Sequence, residues 1–340
     1  MTAAFEVVER AIHAGPIPGA AAAVGTPEHV EVACFGRLEP DGDGVTPTTW
    51  YDLASLTKVL CTIPLTLDLI AAGRLDPQAT VRDLLPEVAW LQERPNLGDA
   101  TVLQLATHTS GLPAWEPLYT LGLDRATLFA RLLYSPLQRP PGTIVYSDLG
   151  ILVLGHILER STGCRLDVLG QGLFSRIGQA RDLAFGSPDG APVAPTERCP
   201  WRNRQLRGEV HDENASAFGG VAAHAGLFGT LHGVVGYAQA LLAHRLHAEP
   251  VVRYLSEEHA RTEQERRGFG WALMHAGWSG GDLISPRSIG HTGFTGTGLW
   301  IDLERQRFSV LLTNRVFPSR HVESGIIGLR RAFNHAAHGA

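Results

Sequence analysis

The stretch that decides the fold is "YDLASLTKVLCTIPLTLDLIAAGRL", Tyr51–Leu75. It holds a serine and a lysine three positions apart, in Ser55-Leu56-Thr57-Lys58. Residues at that spacing are neighbours on a helix, so the amine can reach the hydroxyl. Serine is a weak nucleophile until its proton is taken. Lysine can take it only if burial or a nearby cation lowers its pKa. The same four residues also have an ordinary reading, with Ser55 as a helix cap and Lys58 in water. The setting argues against that reading. Leu56, Val59, Leu60 and Ile63 surround the lysine, and no other charge appears before Asp68. A lone charge in an apolar run needs a reason to be there. Apolar residues fill most of 59–71, which predicts a helix buried on nearly all sides, with Gly73 stopping it.

The chain has 340 residues, 44% apolar and 19% charged, which suits a large core in about two domains. A net charge of -5 and a pI near 6.3 point to neither a nucleic-acid partner nor an anionic membrane. Cys34, Cys61, Cys164 and Cys199 form no C-x-x-C pair, so they read as buried thiols of a reducing compartment rather than two disulfides. Glu6, Glu9 and Arg10 interrupt the first segment, which reads as an amphipathic helix ending near Gly15 and not as a signal peptide. No window of about 18 uncharged apolar residues occurs, so no membrane span is expected. These features lead us to expect a cytoplasmic location.

"GAAAAVG" and "HVEVACFG" read as two strands joined by a turn at Thr26-Pro27-Glu28. Residues 76–250 read as mostly helical, with a helix opening at Ser147 or Asp148 and closing at Gly163, a long loop over 186–217, and a helix over 231–247. Near the C-terminus, "FGWALMHA", "SIGHTGFTGTGLWIDL" and "RFSVLLTNRV" read as three strands, followed by the helix "VESGIIGLRRAFNHAA". The expected fold class is α/β (α+β). One antiparallel sheet draws on both chain ends (1–75 and 251–340), a helical lobe fills 76–250, and a cleft lies between them.

Two more sites stand out. Tyr146 precedes a helix start, with Asp148 two residues on. His291-Thr292-Gly293 lies in a glycine-rich strand segment, where glycine marks close approach by a ligand or backbone. "GFTGTG" is no nucleotide fingerprint, because no helix follows it. The order S-x-x-K, tyrosine, then basic-Thr-Gly resembles the serine β-lactamase and penicillin-binding protein-like family. This family includes class C β-lactamases, D-Ala-D-Ala carboxypeptidases and related esterases. "YDLASLTK" (51–58), "LQLATHTSGLP" (103–113), "GEVHDENASAFGGVAAHAGLFGT" (208–230) and "GFTGTGLWIDLERQRFSVLLTNRV" (293–316) resemble it too, so that the likeness spans about 15–335.

The resemblance implies roles at matching positions. Ser55 would be acylated, Lys58 would be its base or proton partner, and Tyr146 would help activate Ser55 and then water. The N–H groups of Ser55 and Phe294 would form the oxyanion hole. Asp148, His291, Thr292 and Gly293 would face substrate, and Asp212 would border the cleft. Two positions depart from the family pattern. Asp148 replaces the more usual Asn; as a carboxylate it would pair with Lys58, keep it protonated and shift basic work to Tyr146. His291 replaces Lys; with a reference pKa of ~6.5 it is largely neutral at pH 7 and favours a neutral ester over a substrate carboxylate. No cofactor is implied. His211, Asp212, Glu213 and His224 match no zinc spacing and read as a loop hydrogen-bond cluster, so no metal is expected. His108 reads as structural. The expected function is a carboxylesterase-like serine hydrolase acting on a small ester, amide or peptide-like molecule. The alternatives are a D-Ala-D-Ala carboxypeptidase or β-lactamase, and a non-catalytic binding module of the same fold.

Overall fold

Four consecutive alanines, Ala20 to Ala23, lie fully buried in the second strand of the sheet, and their alternation sorts the core into two layers. The computed structural model describes residues 3–90 and 96–339. Helix α1 (Ala3–Ala14) leads into β1 (Gly19–Gly25), and β2 (Val30–Gly36) returns antiparallel to it. The chain then enters the helical part through β3 (Tyr51–Asp52), a π-helical turn (Lys58–Thr62) and α2 (Ile63–Ala71). Next come α3 (Val81–Leu84), α4 (Val102–Ala106), α5 (Arg125–Leu133), α6 (Asp148–Thr162) and α7 (Leu166–Arg176). Short strands and one helical turn follow: β4 (Leu183–Phe185), β5 (Arg198–Cys199), β6 (Arg204–Gln205), α8 (Glu213–Ala217) and β7 (Leu227–Gly229). Then α9 (Leu231–Leu242) and α10 (Glu249–Ser256) precede β8 (Ala260–Arg261), β9 (Arg266–Arg267), β10 (Ala272–Leu273), β11 (Ser288–Thr292), β12 (Gly298–Asp302) and β13 (Arg307–Thr313). Helix α11 (Ile326–His338) closes the chain.

Eight strands form one antiparallel sheet in the order β2-β1-β13-β12-β11-β10-β9-β8. The sheet therefore joins both chain ends, with Ala20 opposite Thr313 and Gly25 opposite Phe308. Ala20 and Ala22 share one core layer with Phe5, Val8, Phe333 and Trp300, under α1 and α11. Ala21 and Ala23 face the other layer, with Val310, Leu312 and residues of α9. Each large apolar side chain buried this way contributes about 1.5–3 kcal/mol. Helix α6 starts where Ser147 Oγ accepts the Gly150 N–H at 3.1 Å and ends at Gly163 with φ 70°.

Some readings of the sequence need correction. "SIGHTGFTGTGLWIDL" is not one strand but the β11–β12 hairpin, because Gly293 N–H closes onto Thr297 O at 2.8 Å and Gly296 takes φ 111°. The 186–217 segment holds the β5–β6 pair and α8, and the helix over 231–247 ends at Leu242. Within "FGWALMHA" only Ala272–Leu273 is strand, and β8 and β9 extend the sheet beyond the five strands expected. Within 76–250, α9 packs against β1 and β13 of the sheet as well as against β7. The four cysteines are free thiols. Among the described residues no helix is long and apolar enough to cross a membrane.

His338, on the last turn of α11, is 1% exposed, with Nε2 3.1 Å from Ser309 Oγ. Burial, reinforced by Arg307 and Arg305 against Asp302, pushes its pKa from 6.5 down to about 4. Between these pH values the unfolded chain binds a proton that the folded chain refuses, so stability falls as pH drops from 6.5 to about 4. At 1.36 kcal/mol per pH unit, this one group accounts for about 3 kcal/mol across the window. We expect His338→Gln to flatten the dependence of the urea midpoint on pH between 7 and 4.5. An unchanged slope would show that His338 does not contribute.

Candidate active site

The turn that carries Ser55 is built around a buried carboxylate. Asp52 Oδ1 accepts the Ala54 N–H at 2.8 Å, and Oδ2 accepts the His211 N–H at 2.6 Å. This grip holds Ala54 at φ 47°, a left-handed conformation unusual for a residue with a Cβ. The chain is thereby turned so that Ser55 stands ahead of the π-helical turn. Ser55 caps nothing: the residue at the cap position is Thr57, and it makes no side-chain cap bond. The Ser55 Oγ instead accepts from Lys58 Nζ at 2.8 Å.

Lys58 is 0% exposed. Its Nζ also donates to His224 O at 3.0 Å and is ion-paired with Asp148 Oδ1 at 2.7 Å. Two hydrogen bonds and one ion pair thus engage the ammonium. Burial by itself lowers the lysine pKa. Asp148 first, and then Tyr146, outweigh it, so the net shift is upward and Lys58 is charged.

Tyr146 sits in a cage. Lys58 Nζ lies 5.0 Å and Arg267 Cζ 5.4 Å from its ring centroid, and the His108 and His291 rings lie 4.5 and 5.9 Å away. His108 is structural, as its Nδ1 accepts the Ser147 N–H at 3.0 Å and fixes the start of α6. His291, on β11, is buried and donates from Nδ1 to Thr292 O at 3.1 Å. Burial, then Lys58 and Arg267, hold its pKa well below 6.5, so it is neutral. Asp212 meets His224 Nε2 at 2.9 Å and caps α8 through the Ala215 N–H at 2.7 Å. Burial opposes its ionisation, but His224, the Ala215 N–H and Lys58 hold the carboxyl well below its usual range.

The β11–β12 turn stands opposite the nucleophile. Thr295 Oγ1 donates to Asp52 O at 2.7 Å and Thr297 Oγ1 to Leu53 O at 3.1 Å, tying the two segments together. Among the described residues no backbone carbonyl takes the N–H of Ser55 or of Phe294. The Phe294 ring is 49% exposed. The arrangement lines a cleft of about 750 Å³ in which Ser55, Tyr146, Asp148, Asp212, His291, Thr292, Gly293 and Phe294 all meet, with Lys58 beneath its floor.

The carboxylates near the cleft are matched by the chain's own cations. Ligand atoms of Asp148, Asp212 and His224 lie within 4.8 Å of one another, but the Lys58 ammonium already stands against Asp148. Glu197 and Glu213, grouped with Cys199, share Arg320 between them. Sequence reasoning missed Asp52, Arg267 and Arg330. Asp52 lies two residues before a turn that only Ala54 φ betrays. Arg267 is indistinguishable in sequence from its exposed-side neighbour Arg266. Arg330 is one of two adjacent arginines in the closing helix, and its sequence does not distinguish it from Arg331.

A model of the Beta-lactamase family matches residues 5–330. The chain belongs to this family. The putative D-alanyl-D-alanine carboxypeptidase of Escherichia coli (strain K12) is 29% identical, over 79% of this chain and 70% of that one. A solved structure of EstCE1, a hydrolase with promiscuous acyltransferase activity, superposes with a TM-score of 0.77 at 19% identity, covering 97% of both chains. A class C β-lactamase from Rhodobacter sphaeroides gives 0.76 at 19% identity, covering 98% of this chain and 97% of that one. The β-lactamase-like fold and the serine hydrolase class of the family follow from these matches.

Gly293 leaves no room for a side chain. A Cβ there would stand 2.1 Å from Thr297 Oγ1 and 2.6 Å from Leu53 O. Gly293→Ala must displace backbone that carries both segments of the site. We expect a loss of about 1–3 kcal/mol in stability, read from urea unfolding, together with at least ~100-fold lower ester turnover. A variant of unchanged stability and rate would show that the turn is looser than its contacts imply.

Proposed function

We propose that the chain is a serine hydrolase that acts through an acyl-enzyme on Ser55, with small neutral esters and amides as substrates. The observation that carries this reading is the 2.8 Å contact between Ser55 Oγ and the wholly buried Lys58 ammonium. A charge withdrawn from water and aimed at a serine oxygen has no structural use that an apolar residue could not serve better.

Because Lys58 is already an ammonium, Tyr146 is the base. Its oxygen takes the Ser55 proton as Oγ bonds to the substrate carbonyl carbon. Lys58 and Arg267 compensate the negative charge that Tyr146 carries in this role. The carbonyl oxygen becomes anionic and is held by the Ser55 and Phe294 N–H groups. The C–O or C–N bond then breaks, and the proton on Tyr146 passes to the leaving group. Water repeats the sequence: its proton goes to Tyr146, its oxygen bonds to the acyl carbon, and Ser55 Oγ leaves with the proton returned.

Neutral His291 supports uncharged substrates, since it offers no cation to a carboxylate. A second reading rests on Arg315. It lines the cleft and forms no ion pair among the described residues, so it is a candidate partner for the terminal carboxylate of a D-Ala-D-Ala peptide. The E. coli relative's name points the same way.

A fluorophosphonate should label Ser55 stoichiometrically, and Ser55→Ala should lose both label and turnover while its melting temperature is kept. A folded wild-type protein that takes no label at Ser55 would make the chain a binding module. We expect p-nitrophenyl butyrate to be hydrolysed faster than nitrocefin or a D-Ala-D-Ala peptide; the reverse order would favour the second reading.

Asp148→Asn gives an independent check. Without the carboxylate, burial prevails and the Lys58 pKa drops from its raised position. The high-pH limb of the kcat/KM profile, where the ammonium is lost, should move down by about one to three pH units. A limb that stays in place would separate Lys58 protonation from the reaction.

A further inference from the structure

Arg330 is 8% exposed and, among the described residues, has no carboxylate partner. A buried guanidinium without a counter-ion is costly, and burial, with Arg315 adding to it, pushes its pKa down to about 9. What it touches is the turn between β11 and β12. Its Nη2 donates to Gly293 O at 2.7 Å and to Thr297 O at 2.8 Å, bridging the two ends of that turn. We infer that Arg330 is a positioning residue that sets and strengthens the Phe294 N–H as an oxyanion donor, acting through the Gly293–Phe294 peptide.

The argument is geometric. The Gly293 carbonyl and the Phe294 N–H belong to one planar trans peptide and point to opposite sides of it. Fixing the carbonyl behind the turn therefore fixes the N–H in front. A cation on the carbonyl also draws electron density through the amide, which makes the N–H a better donor in a site shielded from water. The next peptide is held in the same manner, as Arg315 Nε donates to Phe294 O at 2.7 Å. Both peptides flanking Phe294 thus carry an arginine on their carbonyls. The resulting positive charge lies behind the place where a tetrahedral intermediate becomes negative, and it needs no rearrangement when that charge appears. Arg330 borders the cleft, and its Nη2, committed to the two carbonyls, is the atom through which it acts on the turn.

The inference rests on the acyl-enzyme at Ser55. The test compares wild type, Arg330→Met, Arg330→Lys and Arg330→Gln, each checked by thermal melting. It measures kcat and KM on p-nitrophenyl butyrate and the affinity for phenylboronic acid, which adds to a serine oxygen as a tetrahedral anion. In Arg330→Met we expect kcat to fall about 10- to 100-fold, part of what loss of a whole donor costs, with KM within about threefold. Boronate affinity should fall in step with kcat/KM, and Arg330→Lys should recover most of the loss. A folded Arg330→Met with wild-type kcat, or one whose boronate affinity does not follow its rate, overturns the inference. If Arg330→Met does not fold, Lys against Gln decides: a more active Lys variant supports the role of charge, and equal activities overturn it. The wild-type fluorophosphonate label separates the two failures. No Ser55 adduct removes the acyl-enzyme reading and this inference with it, whereas an adduct alongside an unaffected Arg330→Met removes only the inference.

Discussion

An ammonium with no access to water must be met by acceptors on every side, and at Lys58 these come from three separate parts of the chain. Ser55 supplies one from its own turn, Asp148 another from the start of α6, and the His224 carbonyl the third from the segment before β7. Removing one partner of such a buried pair leaves an uncompensated charge and costs about 3–5 kcal/mol. Packing of the lobes around the cleft and protonation of the lysine are therefore one problem. Elements that hold Asp148 and His224 in place also hold the nucleophile's partner in its charged form.

A second buried charge works by the same logic on the backbone. Asp52 is enclosed, and burial raises its pKa against the lowering effect of the His211 and Ala54 N–H bonds. Its two oxygens hold the unusual Ala54 conformation and the segment leading to Asp212. Strain at the nucleophile is sustained because its surroundings over-determine it. The threonines of the β11–β12 turn then bond to the carbonyls of Asp52 and Leu53. The spacing between the nucleophile and the turn is thus set by hydrogen bonds of the backbone, not by side chains that can rotate.

Much of this was legible in the residues. A lysine in an apolar helix, a tyrosine before a helix cap and a basic-Thr-Gly triplet are local patterns, and the structure brings them into one cleft. The turn after β1 and the caps of α6 were equally local. What escaped was non-local or depended on turn chemistry. In "SIGHTGFTGTGLWIDL" the glycines were read as close approach along one strand, whereas they make the turn between two, through a closure across Gly293 and Gly296. Arg267 and Arg330 look like surface charges by composition. Only the completed sheet encloses them, one over Tyr146 and the other behind the triplet. Asp52 was invisible because its partners are main-chain groups, one of them 159 positions away.

The order of strands ties activity to the order of synthesis. β1 and β2 are made before the whole helical segment, yet β1 is covered on its other edge by β13, and the layer above it is filled by α11. The alanine strand therefore waits for nearly the whole chain before it has a neighbour to pair with, and such long-range pairing is slow to form. Ser55 and Lys58 are made well before the turn that faces them and the helix behind that turn. A chain cut off before β11 thus presents Ser55 and Lys58 without the turn that stands opposite them.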